Sequence, residues 1–130
     1  MRGILKWLGV VGSRSIDNQE TRLLVESFLE GYKKSYPLNG INTGGAKGPD
    51  SHAHDWAIVN DYPCKIFHPD NPDRKEDYII HNHHIVDESD SVVAFWDGQS
   101  NGTKSVIDYC KKTGKKCMVY KIGADDEVEL

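Results

Sequence analysis

Two glycine-rich turns, far apart in the chain, each follow a run that reads as a buried strand and lead into a segment with helical spacing. The first is Thr43-Gly44-Gly45-Ala46-Lys47-Gly48-Pro49-Asp50, after Leu38-Asn39-Gly40-Ile41-Asn42. The second is Asp97-Gly98-Gln99-Ser100-Asn101-Gly102-Thr103, after Ser91-Val92-Val93-Ala94-Phe95-Trp96. Strand, glycine turn and helix in that order open the crossover unit from which parallel sheets are built. Such a turn aims backbone N–H groups and a helix N-terminus at one point in space. A phosphate-bearing small molecule is the expected occupant.

The rest of the chain repeats that unit. Ile4 to Val11 is a nearly continuous apolar run ending at Gly12-Ser13-Arg14. Asp17-Asn18-Gln19-Glu20 has capping-box spacing, with Asp17 as N-cap and Glu20 reaching back. Leu24, Val25, Phe28, Leu29 and Tyr32 then form a helical stripe, which Pro37 closes from beyond its end. Ile41 to Thr43 is a second strand. From Asp50, the positions Ala53, Trp56, Ala57 and Val59 suit a helix. Pro63 to Phe67 reads as a third strand and His68 to Asp73 as a loop. Tyr78 to Val86 is helical, and Ser91 to Trp96 is the strongest strand. Val106, Ile107 and Cys110 mark a last helix with Gly114 just past its end, and Lys116 to Ile122 is the final strand.

The order βαβαβαβαβ predicts an α/β fold: a Rossmann-like three-layer sandwich of about five mostly parallel strands with helices on both faces. Residues 1–123 are expected to form this single domain, and the acidic tail 124–130 to be frayed. In open parallel sheets, ligands bind beyond the carboxyl ends of the strands, near the switch in strand order. Gly12-Ser13-Arg14, Gly44 to Asp50 and Asp97 to Thr103 all fall at strand ends, so three turns should converge on one rim.

Composition narrows the function classes. With 130 residues, 38% of them hydrophobic, the chain can bury a core without staples. No stretch approaches the roughly 18 apolar residues of a membrane span. The first residues lack the long apolar region of a signal peptide. Cys64, Cys110 and Cys117 are an odd set without short spacing. They fit reduced thiols in a cytoplasmic protein better than a disulfide framework or zinc site. A net charge of −4 argues against general nucleic-acid binding. Lys111, Lys112, Lys115 and Lys116 cluster, and they read as a solvated helix end.

Gly12-Ser13-Arg14, Gly44 to Asp50, Ala53 with Trp56-Ala57, Asn82, Asp97-Gly98 and Gly102-Thr103, taken as an ordered set, resemble the SLOG superfamily. This Rossmann-like group includes the LOG cytokinin-activating phosphoribohydrolases, the DNA-processing protein DprA and nucleotide-sensing domains. The resemblance leans to its small stand-alone YspA-like branch and covers about residues 4 to 122. It implies a nucleotide or nucleoside-phosphate ligand on the rim. Gly44, Gly45 and Gly48 would face one phosphate position, Gly102 and Thr103 another, and Arg14 would add a cationic contact. One departure matters most. LOG enzymes and nucleoside deoxyribosyltransferases carry a catalytic glutamate after the Gly-Thr pair, and here its place is taken by Val106. The YspA-like branch often has Arg-Asn where this chain has His81-Asn82.

The resemblance therefore implies a sensor or sequestering protein for a nucleotide-derived signal, without turnover and without a cofactor. Phage–host conflict is its expected setting. The alternative is an N-glycosidic-bond hydrolase acting on nucleoside phosphates. That enzyme would need Asp97, Asp50 or Asp108 in place of the glutamate, and Asp108 lies about 200° around the helix from Val106. The candidate ligand-binding set is Gly12, Ser13, Arg14, Gly44, Gly45, Ala46, Lys47, Gly48, Asp50, His81, Asn82, Asp97, Gly98, Ser100, Gly102 and Thr103.

Several of these have a structural reading beside the functional one. Asp50 suits a helix cap, Thr103 an N-cap, and Asp97 either a ribose contact or a turn. Asn82 falls in the middle of an apolar arc of Tyr78, Ile79, Ile85 and Val86. It needs a partner, either ligand or a buried carbonyl. Trp7, Trp56 and Trp96 read as packing, and one of them is available to stack on a base. His52 and His54, or His81, His83 and His84, lack the companions of a metal site. Tyr32, Tyr36 and Ile80 are candidate contacts for a homodimer or larger homo-oligomer.

Overall fold

A computed structural model of the chain describes residues 6–71 and 73–122, and the backbone of 128–129. β1 (Trp7–Gly12) leads through a single 3-10 turn (Arg14–Ile16) into α1 (Gln19–Ser35). Then follow β2 (Gly40–Thr43), α2 (Pro49–Val59), β3 (Cys64–Ile66), α3 (Lys75–Asp87), β4 (Ser91–Trp96), α4 (Asn101–Thr113), β5 (Cys117–Ile122) and β6 (Val128–Glu129). One sheet runs in the order β3-β2-β1-β4-β5-β6. β1 to β5 are parallel, and β6 pairs antiparallel with β5 through Lys121 and Ile122. The α/β Rossmann-like architecture read from the sequence is the one observed. Of the predicted first strand, Ile4 and Leu5 lie outside the described residues, as do Ala124 to Glu127 and Leu130 of the acidic tail.

Period-two burial explains how one sheet serves two layers. Leu8 and Val10 of β1, with Val93 and Phe95 of β4, pack with Val25, Leu29, Ala53, Trp56 and Ala57 of α1 and α2. Val11, Val92 and Ala94 point the other way, toward Ile85 and Val86 of α3 and Val106, Ile107 and Cys110 of α4. Gly9 leaves room on that second face, where an added Cβ would sit 2.9 Å from Ser89 Oγ. From β1 the chain steps outward to β2 and β3, then returns to lay β4 on the other side of β1. The strand order therefore switches between β1 and β4, and a crevice opens beyond their carboxyl ends.

Local expectations needed several corrections. The N-cap of α1 is Asn18, whose side chain accepts from Thr21 N at 2.8 Å. Asp17 is instead drawn to His52 Nε2, 3.2 Å away. Tyr36, held extended before Pro37, ends α1 as anticipated. Val59 is 83% exposed, because it lies about 200° around α2 from the buried Ala57. Tyr32 is buried and stacks on Phe28 with ring centroids 5.7 Å apart, so it offers no surface to a partner, unlike Tyr36 and Ile80. Ile79 is exposed, which narrows the apolar face of α3. Tyr78 belongs to the predicted arc, but its side chain lies outside the described residues. Among the described residues no helix is long and apolar enough to cross a membrane.

Candidate functional site

The ends of β1, β2 and β4 are bound to one another by small residues. Ser13 donates its N–H to Phe95 O at 3.0 Å. Its hydroxyl accepts from Asp97 N at 3.0 Å and pairs with Ser100 Oγ at 2.8 Å. Gly12 packs so tightly under Pro49 that an added Cβ would lie 2.3 Å from Pro49 Cγ. Gly48, at φ +92°, leaves only 2.9 Å between its own missing Cβ and Ser13 O. Both glycine turns are thereby brought against the end of β1.

They border one cleft of about 910 Å³. Of the candidate residues it brings together Gly12, Ser13, Arg14, Gly44, Gly45, Ala46, Lys47, Asp50, His81, Asn82, Ser100, Gly102 and Thr103. Gly48, Asp97 and Gly98 do not line it. Gly48 is committed to the backbone packing just described, and Gly98 turns at φ +85° toward the Lys121 side chain. Asp97 is a turn residue. Its Oδ1 accepts from Gln99 N and Ser100 N at 2.8 and 2.7 Å, and its Oδ2 accepts from the Ser15 hydroxyl at 2.6 Å. Burial pushes this carboxyl up, yet those donors together hold it below the ordinary aspartate value.

The two turns differ in what they leave available. In the first, Asp50 Oδ2 accepts from Gly44 N at 3.1 Å and Ala46 N at 3.2 Å. Asp50 is therefore not a cap of α2. It is the second residue of that helix, after Pro49, and it folds back onto the loop before it. Two of the N–H groups expected to be bare are thus already engaged. Asp50 is only 5% exposed, and its Oδ1 completes no hydrogen bond. Burial pushes the carboxyl up to about 7, against the opposing pull of the Ala46 N–H, the Thr43 hydroxyl and the Gly44 and Gly12 N–H groups.

The second turn is open. α4 begins at Asn101, two residues earlier than Thr103, and no side chain caps it. Its flanking Ser100 has turned to Ser13. The first-turn N–H groups of an uncapped helix have no partner inside the helix. Gly102 lies within that turn, and nothing stands within 4 Å of where its Cβ would be. A helical glycine costs about 0.5–1 kcal/mol against alanine. Packing gives no reason for it here.

Three cations share the rim of this space with the Asp73 carboxylate. Arg14, Lys47 and Lys75 line the cleft, and among the described residues none of them has an ion-pair partner. Lys75, together with His68, Pro69, Asp73, Ile79, Asn101 and Ser105, was missed from the sequence. The loop after β3 looked like mere connection, and its place over the cleft follows from packing. His81 is buried with Nδ1 2.8 Å from Phe67 O, and burial lowers its pKa against the pull of that carbonyl. Asn82 lines the cleft and its Nδ2 also donates to Gly102 O at 3.5 Å, a long bond that ties α3 to the start of α4. Val106 is 1% exposed and forms part of the cleft wall. No Trp, Tyr or Phe lines the cleft among the described residues. Trp56 is spent on Glu30, and Trp96 on Ser100 O. Among the described residues no group of three or more His, Cys, Asp or Glu could hold a metal ion.

A parallel sheet with a switch between β1 and β4, and a glycine-bordered cleft at that switch, define a Rossmann-like α/β domain. Solved structures with this fold include TM1055, a structural-genomics target, at a TM-score of 0.65 and 19% identity. That match covers 86% of this chain and 72% of the other. DNA processing protein A (DprA) from Streptococcus pneumoniae matches at a TM-score of 0.60 and 18% identity, over 97% of this chain. The chain spans 62% of DprA's length. Both neighbours have SLOG-type Rossmann-like folds. No family model matches the sequence, and no curated protein matches it.

Proposed function

We propose that the cleft binds a phosphate-bearing, nucleotide-type small molecule and does not turn it over, as a sensor or sequestering protein of the small stand-alone SLOG branch does. The observation that carries this reading is the uncapped N-terminus of α4. Gly102 there opens onto a cleft lined by three cations without ion-pair partners among the described residues. A phosphate would complete the orphan N–H groups, meet the positive end of the helix dipole and neutralise Arg14, Lys47 or Lys75. The nucleoside would extend toward His68, His81 and Ile79. A cytoplasmic setting, a role in phage–host conflict and a homo-oligomeric state belong to the same proposal.

Absence of turnover rests on the carboxylates. Attack on an anomeric carbon, or its stabilisation, needs a carboxylate within reach. Val106 supplies none. Asp97 is saturated by its own turn, and Asp108 is exposed and paired with Lys104 at 3.0 Å. Two carboxylates favour the second reading, an N-glycosidic-bond hydrolase: Asp50, which lines the cleft with a pKa of about 7, suited to acid–base work, and the exposed Asp73, which lines it from the loop before α3.

Native mass spectrometry of protein purified from cells is expected to show a retained phosphorylated small molecule. Incubation with 5′-nucleoside monophosphates is expected to give binding without free base. Release of base that disappears in Asp50→Asn would replace the binding reading with the hydrolase.

A further inference from the structure

Each glycine of the first turn has a reason internal to the fold. Gly45 and Gly48 sit at φ +76° and +92°, which side chains rarely adopt. Gly44 has an ordinary φ, yet a Cβ there would lie 3.0 Å from Asp50 Oδ2 and 3.1 Å from His81 Cε1. Its missing side chain makes room for the Asp50 carboxyl. That carboxyl then does what a bound anion would do, accepting from Gly44 N and Ala46 N while lining the same cleft. Its charge is felt around it: burial and then Asp50 push the neighbouring Cys64 thiol up to about 11.

We propose that Asp50 is a specificity-determining residue, an internal occupant that bars an external anion from the first glycine turn. The cleft is thereby selective for a ligand with a single anionic end and an uncharged, hydroxyl-bearing remainder. The ligand polarity rests on the phosphate reading of α4. The barring of the first turn does not. A phosphate approaching Gly44 must displace a buried carboxyl group from two hydrogen bonds and meet its charge. The uncharged hydroxyls of a sugar can lie beside Lys47 and the Asp50 edge without that conflict. A ligand with anionic groups at both ends is excluded, although the volume would admit it.

Inorganic phosphate titrated into 15N-labelled protein at about pH 8 tests this by amide NMR. In the wild type, the Gly102 and Thr103 amides are expected to shift and those of Gly44 and Ala46 to stay still. In Asp50→Ala, the Gly44 and Ala46 amides are expected to respond as well, with affinity at that turn at least about tenfold above the wild type. Saturable shifts at Gly44 and Ala46 in the wild type, or none there in a folded Asp50→Ala, overturn the proposal. If Asp50→Ala fails to fold, the wild-type response at Gly44 and Ala46 decides alone. Silence at Gly102 and Thr103 would instead count against the phosphate reading of α4, while the first-turn amides still decide the role of Asp50.

Discussion

Asp50 is a carboxyl group that the fold holds protonated well above the pH at which an aspartate in water loses its proton. It faces the Gly44 and Ala46 N–H groups, with His81 of α3 beside Gly44, Cys64 of β3 within range of its charge, and Lys47 exposed at the rim. Its folded-state pKa of about 7 lies above the 3.8 of an ordinary aspartate. Between those values the folded chain holds the proton and the unfolded chain does not. The stability Asp50 contributes is therefore full below about pH 4 and lost as the pH rises through about 7. His52 and His81, with pKa values lowered by burial, pull the opposite way as the pH falls below their ordinary range. The clean measurement is a difference. The Tm of Asp50→Asn minus that of the wild type is expected to increase from about pH 5 to about pH 8, where the asparagine no longer buries a charge. A flat difference would show that Asp50 ionises normally. A sequence reader sees an aspartate in a helix's first turn and expects a cap. The fold-back onto Gly44 depends on Pro49 being wedged against Gly12, a contact between residues 37 positions apart.

α4 was legible as a helix from Val106, Ile107 and Cys110, and its end from Gly114, which adopts the left-handed conformation at φ 76°. Its start was not. Thr103 looked like the cap, but the helix begins two residues earlier, because Asp97 braces the turn through Gln99 N and Ser100 N. Gly102 consequently lies inside the first turn, where it weakens the helix and where an added Cβ would meet nothing within 4 Å. Gly102→Ala is expected to raise unfolding free energy by about 0.5–1 kcal/mol, since a Cβ meets open space and the unfolded chain loses freedom. The same methyl group would stand where a phosphate approaches, so 5′-AMP affinity is expected to drop by about tenfold or more. Urea denaturation and calorimetric titration read the two effects separately. A gain in stability with unchanged affinity would move the ligand away from α4. α3 shows the converse limit. Its helical period was clear, but which of its polar residues faces the cleft was decided by how α3 packs on α4, where Asn82 reaches Gly102 O.

Across the molecule, a net charge of −4 surrounds a cleft whose lining, among the described residues, carries three cations without ion-pair partners, Arg14, Lys47 and Lys75, against the carboxyl groups of Asp50 and Asp73. Binding of a dianion there is expected to be drawn by a local field that the overall balance conceals. Raising NaCl from about 0.05 to about 0.5 M should weaken 5′-AMP binding several-fold, because exposed charges are screened within about 10 Å at 0.1 M salt. Arg14→Ala should weaken binding at low salt and flatten that dependence. Salt-independent binding would instead point to a ligand held by its uncharged part. The alternation of apolar strands with amphipathic helices was sufficient to specify the parallel sheet and its two helical layers. Period two and period 3.6 are written into neighbouring residues, and a right-handed crossover leaves few ways to combine them. Glycine at the strand ends likewise marked the rim on which the cleft opens. The placement of Lys75 over the cleft, the pairing of Ser13 with Ser100 and the occupation of the first turn by Asp50 arose only when the strand ends met. Each depends on distances between residues remote in the chain, and no local preference encodes those.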